Sequence, residues 1–460
     1  MNNPSTIAVI DIGKTNAKVA LVDAATLSEI AVRTTPNTVM STAPYPHFDT
    51  GRLWSFVLDS LKALHAEHPV DAISITTHGA TGVLMAGREL AMPVIDYEFT
   101  GPEVLSEDYA RIRPPFAETG TPKLPGGLNV GAQIFYQAQT FPQEFAEVTT
   151  ILMYAQYWSF LLSGVLANEV TSLGCHTDLW EPDNNRYSSM VRSQGWEPLM
   201  APVRKASDVL ATLLPEVAAY TGIPATTPVH CGIHDSNASL LPHVLSMTAP
   251  FSVISTGTWV IVMSVGGRDV VLDEQRDTLI NVNALGQPVR SARFMGGRAF
   301  SVLGGRGGVA IAPADMTAVL ERDVMILPST PEGSGPYPHN GASWTAPADT
   351  LSSAERTVAI SFYLALMTAT CLDLIGADGP VIVEGPFSEN AQFKQMLAIA
   401  TGRSVLSGSG SATGTSVGAA MLAIDHPPAS ELTPFVAVPD ARMQVYAEKW
   451  RARAEAAYKA

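Results

Sequence analysis

Two stretches of the chain share one pattern of apolar and polar positions. In Val9–Leu21 and again in Val253–Met263, apolar residues run toward a short polar turn and continue beyond it. Each turn is centred on a glycine, Gly13 in the first stretch and Gly257 in the second. Apolar residues on both sides of a tight glycine-centred turn predict a β-hairpin in each case. Because the hairpins lie about half the chain length apart, they also suggest two structurally repeated halves that face each other.

The rest of the chain alternates between strand and helix patterns. Short apolar runs bounded by turn signals predict strands at Ala72–Thr76 and Val381–Glu384. Apolar positions at helical spacing predict helices at Leu53–Glu67, Phe145–Ser163, Ser352–Ile375, Asn390–Thr401 and, with many charges, Pro439–Ala460. Strands and helices that alternate in this way are typical of an α/β protein. The Pro- and Gly-rich stretch Ala310–Thr350 has a loop-like pattern, for which a lid, an interface element and a plain surface excursion are open interpretations.

One uncharged stretch, Val148–Ala167, is long enough to cross a membrane. Polar residues such as Gln156 and Ser159 interrupt it, and no Lys or Arg flanks it closely. This pattern predicts a buried helix rather than a membrane span. The amino terminus also lacks a basic segment leading into an apolar run, so we expect no signal peptide, a cytoplasmic location and no membrane partner.

Composition narrows the class of protein. The 460 residues suffice for two or three domains, and 46% hydrophobic with 15% charged residues describes a soluble globular enzyme. The formal net charge of -15 argues against a nucleic-acid partner, because binding phosphate backbones requires basic patches. The three cysteines, Cys175, Cys231 and Cys371, are too few and too scattered for a disulfide framework.

The tip of the first hairpin carries residues suited to phosphate. Gly13 permits a tight turn and leaves successive amides free to surround phosphate oxygens. Lys14 adds a positive charge, and Thr15 and Asn16 add hydrogen-bond donors. Asp11 would repel a phosphate, so we expect it to hold Mg²⁺, through water, beside the phosphates. A plain turn with a surface lysine remains the structural alternative.

The second tip offers hydroxyls and amides without an acid. Gly257 and Thr258 lie at its centre, and two such cradles would together clamp a nucleotide. The Gly-Lys-Thr sequence of the first tip does not make a P-loop, because Ala8 stands where that motif needs glycine. The chain also continues there as a strand pattern and not as a helix.

A third segment, His230–Pro242, contains an acid at the start of a helical pattern. Asp235 can act as a general base that takes the proton of a substrate hydroxyl as it attacks a γ-phosphorus atom. An acid at a helix amino terminus is also common for structural reasons alone. A third alternative is a metal site, although the spacing of its residues matches no common zinc pattern; those residues are His230, Cys231, His234 and Asp235.

Two further segments follow apolar runs, where α/β proteins place ligand contacts. His78 and Gly79 lie just past the predicted strand that ends at Thr76, and a solvent-facing loop histidine is the alternative to a binding role. Asp96 and Glu98 end another apolar run and are candidates for binding sugar hydroxyls.

With these segments in order, the chain resembles the FGGY carbohydrate kinases. The first hairpin looks like their first phosphate motif, "FSVISTGTWV" like their second, and "VHCGIHDSNASLL" like the segment of their catalytic aspartate. "ARFMGGRAF" and "VIVEGPFSENAQFKQMLAIATGRSV…GTSVGAAMLA" look like their nucleotide-side segments. The resemblance covers nearly the whole chain.

The resemblance implies an α/β fold of two actin-like (ribonuclease H-like) domains, residues 1–245 and 246–460, hinged around a central catalytic cleft. It implies ATP and Mg²⁺ as cofactors, the sugar side in the first domain and the nucleotide side in the second. Carried over by position, Asp235 is the base and Asp11 helps place the metal. The implied sugar contacts are His78, Gly79, Glu98 and His234, and the implied nucleotide contacts are Gly13, Lys14, Thr15, Asn16, Gly257, Thr258, Gly296, Gly385 and Asn390.

The implied reaction is transfer of the γ-phosphate of ATP to a hydroxyl of a ketose. The pair His234–Asp235 is similar to that of the rhamnulose and fuculose kinases, which suggests a 6-deoxyketohexose such as L-rhamnulose or L-fuculose. Two departures stand out: Tyr97 and Glu98 follow Asp96 where many relatives have Arg and Asp, and Pro386 stands where the adenosine segment usually has a second glycine. A catalytically weak sugar and nucleotide sensor, or an actin-like ATPase switch, is the alternative, and a homodimer is one option for the assembly.

Overall fold

The structure is a computed structural model that describes residues 4–328, 333–339, 341–408, 414–429 and 431–459. The chain forms two compact units. The first comprises Met1–Ser246, Ile280–Pro288 and Thr413–Ala429, and the second comprises Met247–Leu279, Val289–Ala412 and Ser430–Ala460. The predicted second domain, 246–460, therefore contains two segments that belong to the first unit, and neither unit is contiguous along the whole chain.

The strands of the described residues, in chain order, are β1 Thr6–Ile12, β2 Asn16–Asp23, β3 Glu29–Pro36, β4 Val39–Met40, β5 His47–Phe48, β6 Ala72–Thr77, β7 Gly82–Ala86, β8 Glu89–Leu90, β9 Thr150–Met153, β10 Asn168–Glu169, β11 Trp180–Glu181, β12 Arg186–Tyr187, β13 Val203–Arg204, β14 Val209–Thr212, β15 Pro228–His230, β16 Ile233–His234, β17 Phe251–Thr256, β18 Val260–Val265, β19 Thr278–Val282, β20 Pro288–Phe294, β21 Ile326–Leu327, β22 Ser343–Trp344, β23 Val381–Glu384, β24 Val405–Gly408 and β25 Leu432–Phe435.

The helices are α1 Thr50–Glu67, α2 Ser106–Ile112, α3 Phe116–Thr119, α4 Val130–Thr140, α5 Pro142–Ala146, α6 Tyr154–Ser163, α7 Val170–Leu173, α8 Ser189–Ser193, α9 Pro215–Thr221, α10 Asp235–Ser246, α11 Gly296–Val302, α12 Pro313–Glu321, α13 Ser353–Leu374, α14 Ala391–Thr401, α15 Gly414–Met421 and α16 Ala441–Lys459.

The central sheet of the first unit has the strand order β14-β15-β6-β1-β2-β3. The predicted hairpin is confirmed, since β1 and β2 pair antiparallel with Asp11 opposite Lys18. On its other side β1 pairs in parallel with β6, which in turn pairs in parallel with β15 and, further along, with β16. Apolar residues on both faces of β1 and β6 are buried, as expected for parallel strands covered by helices.

The sheet of the second unit repeats this arrangement. Its order is β20-β18-β17-β23-β24-β25, with β19 beyond β20. The strands β17 and β18 form the second predicted hairpin, β17 runs parallel to β23, and β24 pairs in parallel with β23 and antiparallel with β25. Because each of the six strands from β20 to β25 has a counterpart with the same pairing in the first unit, the structural repeat suggested by the two hairpin patterns is confirmed.

Helix α13 forms the centre of the core of the second unit. Its amino terminus is fixed by a capping box, in which Ser352 accepts from the amide of Glu355 while the Glu355 side chain accepts from the amide of Ser352. Ser353–Leu374 is long and apolar enough to cross a membrane, but 89% of its most apolar window is buried within the fold. Such burial is typical of the core helix of a folded domain.

One predicted helix is partly wrong. The pattern Phe145–Ser163 predicts a single helix, whereas its first two residues end helix α5, Thr150–Met153 forms strand β9 and Tyr154–Ser163 forms helix α6. Thr150–Met153 is a strand and not a helix because its residues pair antiparallel with β7, which lies far away in sequence. The predicted loop-like stretch 310–350 likewise contains helix α12, and its residues 329–332 and 340 lie outside the described part of the chain.

Helices α10 and α15, both in the first unit, pack with almost no space between their backbones. A Cβ atom built on Gly418 of α15 would lie 1.7 Å from the carbonyl oxygen of Ala238 in α10. Ala238 and Ala419 are fully buried in the same apolar cluster. The crossing therefore requires glycine at position 418, and it holds the carboxyl-terminal segment of this unit against the helix that begins at Asp235.

We expect Gly418→Ala to lower the free energy of unfolding of the first unit by about 1–3 kcal/mol, because the added methyl group forces the two helices apart. The matched control is Gly51→Ala in α1, where an added Cβ would meet its nearest neighbouring atom at 3.9 Å. Urea unfolding followed by circular dichroism compares the two variants. Equal stability of Gly418→Ala and the wild type would contradict the close helix crossing.

Candidate active site

The turn of the first hairpin lines a cavity of about 480 Å³. The turn is closed by the amide of Gly13, which donates to the carbonyl oxygen of Asn16 at 2.9 Å. The side chain of Asn37 supports it from outside by donating to the carbonyl oxygen of Gly13 at 2.8 Å. The cavity is lined by Asp11, Gly13, Lys14, Thr15, Asn16, Lys18 and Thr34. The structure thus brings together the five residues predicted for phosphate and metal, and adds Lys18 and Thr34.

Asp11 is held in a mostly buried, charged environment. The ammonium of Lys18 lies 3.8 Å from Asp11 Oδ2 and 3.0 Å from Glu29 Oε1. Burial raises the pKa of Asp11 to about 7, an effect that Lys18 opposes and that the negative charges of Asp235 and Glu29 increase. A divalent cation beside Asp11 would favour its ionised form, so this carboxyl group suits a metal-dependent site.

Lys18 is a site residue that the sequence analysis missed. Its position directly opposite Asp11 follows from the antiparallel register, in which a three-residue turn separates the two strands. That register was readable from the hairpin pattern, so the signal was present in the sequence.

The predicted phosphate donor Lys14 points toward the other predicted acids. Its ammonium pairs with Asp96 and lies 3.2 Å from Glu98 Oε2. It also lies over the rings of Phe48 and Tyr97, 5.2 and 4.8 Å from their centroids. Lys14 therefore connects the cavity at the first hairpin turn, called here the phosphate-type cavity, to the segment of Asp96 and Glu98 that the sequence predicted for sugar binding.

The segment before Asp235 is fixed by polar side chains of helix α6. Gln156 Nε2 donates to the carbonyl oxygens of Cys231 and Gly232 at 3.1 and 3.2 Å, and Ser159 Oγ donates to that of Cys231 at 2.8 Å. These contacts explain why an otherwise apolar helix carries polar residues. Gly232 has a φ of 89°, and a Cβ there would lie 2.8 Å from the carbonyl oxygen of Ile75.

Parallel strand pairing brings three predicted residues to one edge of the sheet. Thr76 in β6 pairs with Asp11 in β1, and the next residue, Thr77, pairs with His234 in β16. His78 follows directly at the carboxyl end of β6, which is where α/β sheets bind ligands. Asp11, His78 and His234 thus lie side by side across neighbouring strand ends.

His234 and Asp235 form a hydrogen-bonded pair, with 3.0 Å between His234 Nε2 and Asp235 Oδ1. Burial alone would raise the pKa of Asp235, but the charge of His234 and the hydrogen bond hold that pKa below its ordinary value. Burial alone would lower the pKa of His234, but the negative charges of Cys175 and Asp235 hold it well above its ordinary value. Asp235 is therefore ionised at neutral pH and can accept a proton.

Cys175 is a second residue that the sequence analysis missed. Its Sγ lies 3.7 Å from His234 Nε2, and it is 4% exposed. Burial alone would raise the pKa of this thiol, but the charges of His176 and His234 hold it below its ordinary value. Gly79 makes room for this contact, because a Cβ there would lie 2.7 Å from His234 Nε2.

The alternative metal site around His230 is not assembled in the structure. His230 Nδ1 forms a hydrogen bond with the carbonyl oxygen of Ser207 at 2.9 Å. Within the part of the chain that the structure describes, no group of three His, Cys, Asp or Glu side chains could hold a metal ion.

His78 is buried, so the alternative of a solvent-facing loop histidine is wrong. Its ring lies about 5 Å from those of Phe48, Tyr97 and Tyr154, and its Nδ1 bonds to the carbonyl oxygen of Gly79 at 2.8 Å. Burial lowers the pKa of His78 to about 4, so the ring is neutral at pH 7. Its Nε2 is buried and finds no hydrogen-bond partner among the described residues, so its capacity to accept a hydrogen bond is unused.

The hairpin turn of the second unit is closed like the first, with the amide of Gly257 donating to the carbonyl oxygen of Trp259 at 2.9 Å. The hydroxyl of Thr256 donates to the carbonyl oxygen of Glu384 and accepts from the amide of Phe387 at 3.1 Å. Gly385 has a φ of 75°, and a Cβ there would lie 2.1 Å from the carbonyl oxygen of Thr256. The predicted nucleotide segment is thus fastened directly to this hairpin.

Glycines also let helix α11 approach the same turn. A Cβ on Gly297 would lie 2.1 Å from the carbonyl oxygen of Gly257, and one on Gly296 would lie 2.4 Å from Val260 Cγ2. Gly296 itself is buried in this contact, while Gly297 and Gly257 line a cavity of about 570 Å³. The other lining residues are Thr258, Phe300, Arg306, Gly307, Gly308, Val309, Ile311, Thr357, Pro386, Phe387, Glu389, Asn390 and Gln392.

This cavity fits a nucleotide in size and in chemistry, since it combines apolar side chains with a few polar groups and a glycine-lined wall.

Asn390 lines the cavity but also has a structural role, because its side chain accepts from the amide of Phe393 at 2.9 Å and donates to Ser361 Oγ at 2.9 Å. Pro386 begins a 3-10 turn, Pro386–Glu389, where its missing amide leaves no bond unmade.

Comparison with known proteins identifies similar chains. Residues 248–432 match the family model described as carbohydrate kinase FGGY, C-terminal domain. The crystal structure of a carbohydrate kinase from Novosphingobium aromaticivorans is 36% identical, with 99% of each chain covered and a TM-score of 0.91. A ligand-bound xylulose kinase from Lactobacillus acidophilus is 14% identical, covers 98% of this chain and 97% of its own, and has a TM-score of 0.77.

Plasmodium falciparum glycerol kinase with ADP is 15% identical, with 98% of each chain covered and a TM-score of 0.77. Among curated protein sequences, none matches the chain significantly. The structural matches extend over nearly the whole chain and confirm the predicted fold class, a two-domain α/β fold of the actin-like type.

We expect the ring protons of His78 to titrate with a midpoint near pH 4 in nuclear magnetic resonance spectra. Because the folded-state pKa lies below the unfolded value, the unfolded state binds more protons and stability falls on acidification. Between pH 7 and pH 5 the wild type should lose about 2 kcal/mol of unfolding free energy relative to His78→Gln. The variant His68→Gln, which removes an exposed imidazole, is the control. A midpoint above 6 would contradict the burial of this ring.

Proposed function

The chain belongs to the FGGY carbohydrate kinases, which transfer phosphate from ATP with Mg²⁺ to an alcohol group of a sugar, and we propose that Asp235 is the base of this reaction. The observation that carries the proposal is the hydrogen-bonded pair His234–Asp235, in which the carboxyl group is ionised although it is partly withdrawn from solvent. Two other titratable groups at the same sheet edge differ from Asp235 in the effect of burial on their charge. Burial raises the pKa of Asp11 and keeps His78 neutral.

We assign the sugar side to the first unit. Asp235 accepts the proton of the attacking hydroxyl, and His234 keeps the carboxylate oriented and ionised. His78 Nε2 accepts a hydrogen bond from another sugar hydroxyl, because its Nδ1–H is already committed to Gly79. Glu98 contacts the sugar from the segment that Lys14 connects to the phosphate-type cavity.

For the substrate we propose a ketose, and among ketoses a 6-deoxyketohexose such as L-rhamnulose or L-fuculose. The support is the likeness of the His234–Asp235 sequence to that of kinases for these sugars. Coupled ADP release with a panel of ketoses, 6-deoxyketoses and polyols tests this substrate assignment directly.

We assign the nucleotide to the second unit and the metal to Asp11. Gly257 and Thr258, with Gly385 and Asn390, would hold ATP, whose Mg²⁺ complex supplies the γ-phosphoryl group with its charge partly neutralised. Gly13, Thr15 and Asn16 would donate toward the phosphates. Asp11 would orient the metal through water, and Lys18 balances its charge.

The alternative of a sensor or an ATPase switch shares both hairpins. It gives no reason for an ionised carboxylate paired with a buried histidine beside a free ring nitrogen of His78. We also propose a cytoplasmic location, since the reaction consumes ATP. Sugar-dependent ADP formation distinguishes the kinase from both alternatives.

We expect Asp235→Ala and Asp235→Asn to lower kcat for the best sugar by at least about 10³-fold while sugar affinity changes little, because the base acts in the transition state. Coupled ADP release with ketoses, 6-deoxyketoses and polyols measures kcat, and calorimetry measures sugar binding. The control is Glu216→Ala, which removes an acid from the first turn of α9 in the same unit. Turnover by Asp235→Asn at wild-type rates would exclude Asp235 as the base.

We expect Asp11→Asn to raise the Mg²⁺ concentration for half-maximal turnover by about 10- to 100-fold, because the amide cannot replace the charge that orders the hydrated metal. Titrating turnover with Mg²⁺ at saturating ATP and sugar measures this concentration. Asp23→Asn, at the far end of the same hairpin, is the matched control. An unchanged Mg²⁺ requirement in Asp11→Asn would contradict the metal assignment.

A further inference from the structure

The amide of His234 is bound by a side chain from a distant segment. Strand β16 pairs with β6. The N–H of His234, in β16, donates to the side-chain oxygen Thr171 Oγ1 at 3.0 Å. Helix α7, which contains Thr171, packs against β16. The Ile233–His234 peptide, one residue before Asp235, is therefore held by this hydroxyl group in addition to the strand pairing.

That hydroxyl is itself oriented by a buried carboxylate. Glu169 Oε2 accepts from Thr171 Oγ1 at 2.5 Å, from the amide of Thr171 at 2.9 Å and from the amide of Ser172 at 3.3 Å. Because the hydroxyl proton of Thr171 points to Glu169, a lone pair of its oxygen remains for the amide of His234. Glu169 thus determines the direction in which Thr171 accepts.

The backbone segment that contains Glu169 is held rigidly. Glu169 is fully buried and lies in β10, which pairs in parallel with β13. The preceding residue, Asn168, donates from its side chain to the carbonyl oxygen of Ile151 at 2.9 Å and accepts from the amide of Met153 at 2.8 Å. These bonds join β10 to β9, so Glu169 cannot shift without disturbing two pairs of strands.

Capping alone does not account for a glutamate here. The helix it caps, Val170–Leu173, has only four residues, and serine or threonine caps a helix without burying a carboxyl group. The second carboxylate oxygen, Oε1, finds no hydrogen-bond partner among the described residues. A fully buried carboxyl group with one oxygen unmatched costs stability, and such costs are concentrated at functional sites.

We propose that Glu169, acting through Thr171, is a positioning residue for the catalytic carboxylate Asp235. The proposal rests on the assignment of Asp235 as the base. Glu169 touches neither substrate, and it acts by fixing the His234 amide and with it the start of helix α10. Loss of this support allows Asp235 to move relative to the sugar hydroxyl, and a misplacement of about 1 Å costs about 10²-fold in rate.

The first test compares Thr171→Val with Thr171→Ser. Valine keeps the shape of threonine but lacks the hydroxyl, so we expect kcat to fall about 10- to 100-fold while the KM for sugar changes less than about threefold. Serine keeps the hydroxyl and should retain kcat within about threefold of the wild type. Wild-type kcat in Thr171→Val, or equal loss in both variants, would overturn the proposal.

The second test addresses Glu169 directly and remains available if Thr171→Val does not fold. In Glu169→Gln the amide oxygen can take the place of Oε2 and its nitrogen that of the unmatched Oε1, so we expect a fall in kcat of less than about tenfold. Glu169→Leu fills similar volume without an acceptor and should lose as much kcat as Thr171→Val. Equal kcat in the glutamine and leucine variants would contradict the proposed role.

The control for a lost helix cap is Ser352→Ala, which removes the same kind of side-chain bond from helix α13. It should lower the melting temperature without changing kcat. Asp235→Asn separates the two proposals: activity in that variant overturns the base assignment itself. An inactive Asp235→Asn together with a fully active Thr171→Val overturns only the role of Glu169.

Discussion

The parallel pairing of β6 with β1 on one side and with β16 on the other is the constraint on which the candidate site depends. Its register places Asp11 opposite Thr76 and His234 opposite Thr77, so that residues far apart in sequence end at one edge of the sheet. His78 follows at the end of β6, and Asp235 begins the helix that leaves β16. A slip of one residue in either pairing would turn these side chains to the other face of the sheet.

The site keeps several ionisable groups in different protonation states by differences in their surroundings. Asp235 is ionised because His234 outweighs the effect of burial, whereas burial raises the pKa of Asp11 and holds His78 neutral. Such opposed shifts in neighbouring groups are the physical basis for separate roles as base, metal ligand and hydrogen-bond acceptor. The polar side chains of α6 and the proposed Glu169–Thr171 support hold the base segment from two sides.

The structural repeat shows how one topology carries two kinds of site. Both hairpin turns close through the amide of a glycine, but their surroundings differ. The first turn has acids and lysines beside it, which suits phosphate and a metal ion. The second is packed by Gly296, Gly297 and Gly385 against its neighbours and borders an apolar cavity. The strand pairing is therefore shared by the units, while the chemistry of each turn depends on its side chains.

The sequence by itself determined the two hairpins, the greater part of helices α1, α13, α14 and α16, and Asp235 and His78 as candidates, because these depend on local periodicity and motif order. Only the tertiary structure decided that Thr150–Met153 is a strand and that Lys14 pairs with Asp96. It also decided that Cys175 contacts His234 and that Glu169 binds the Thr171 hydroxyl, which accepts from the amide of His234. These features depend on contacts between residues tens of positions apart. Strand order and register determine such contacts, and no local pattern in the sequence records them.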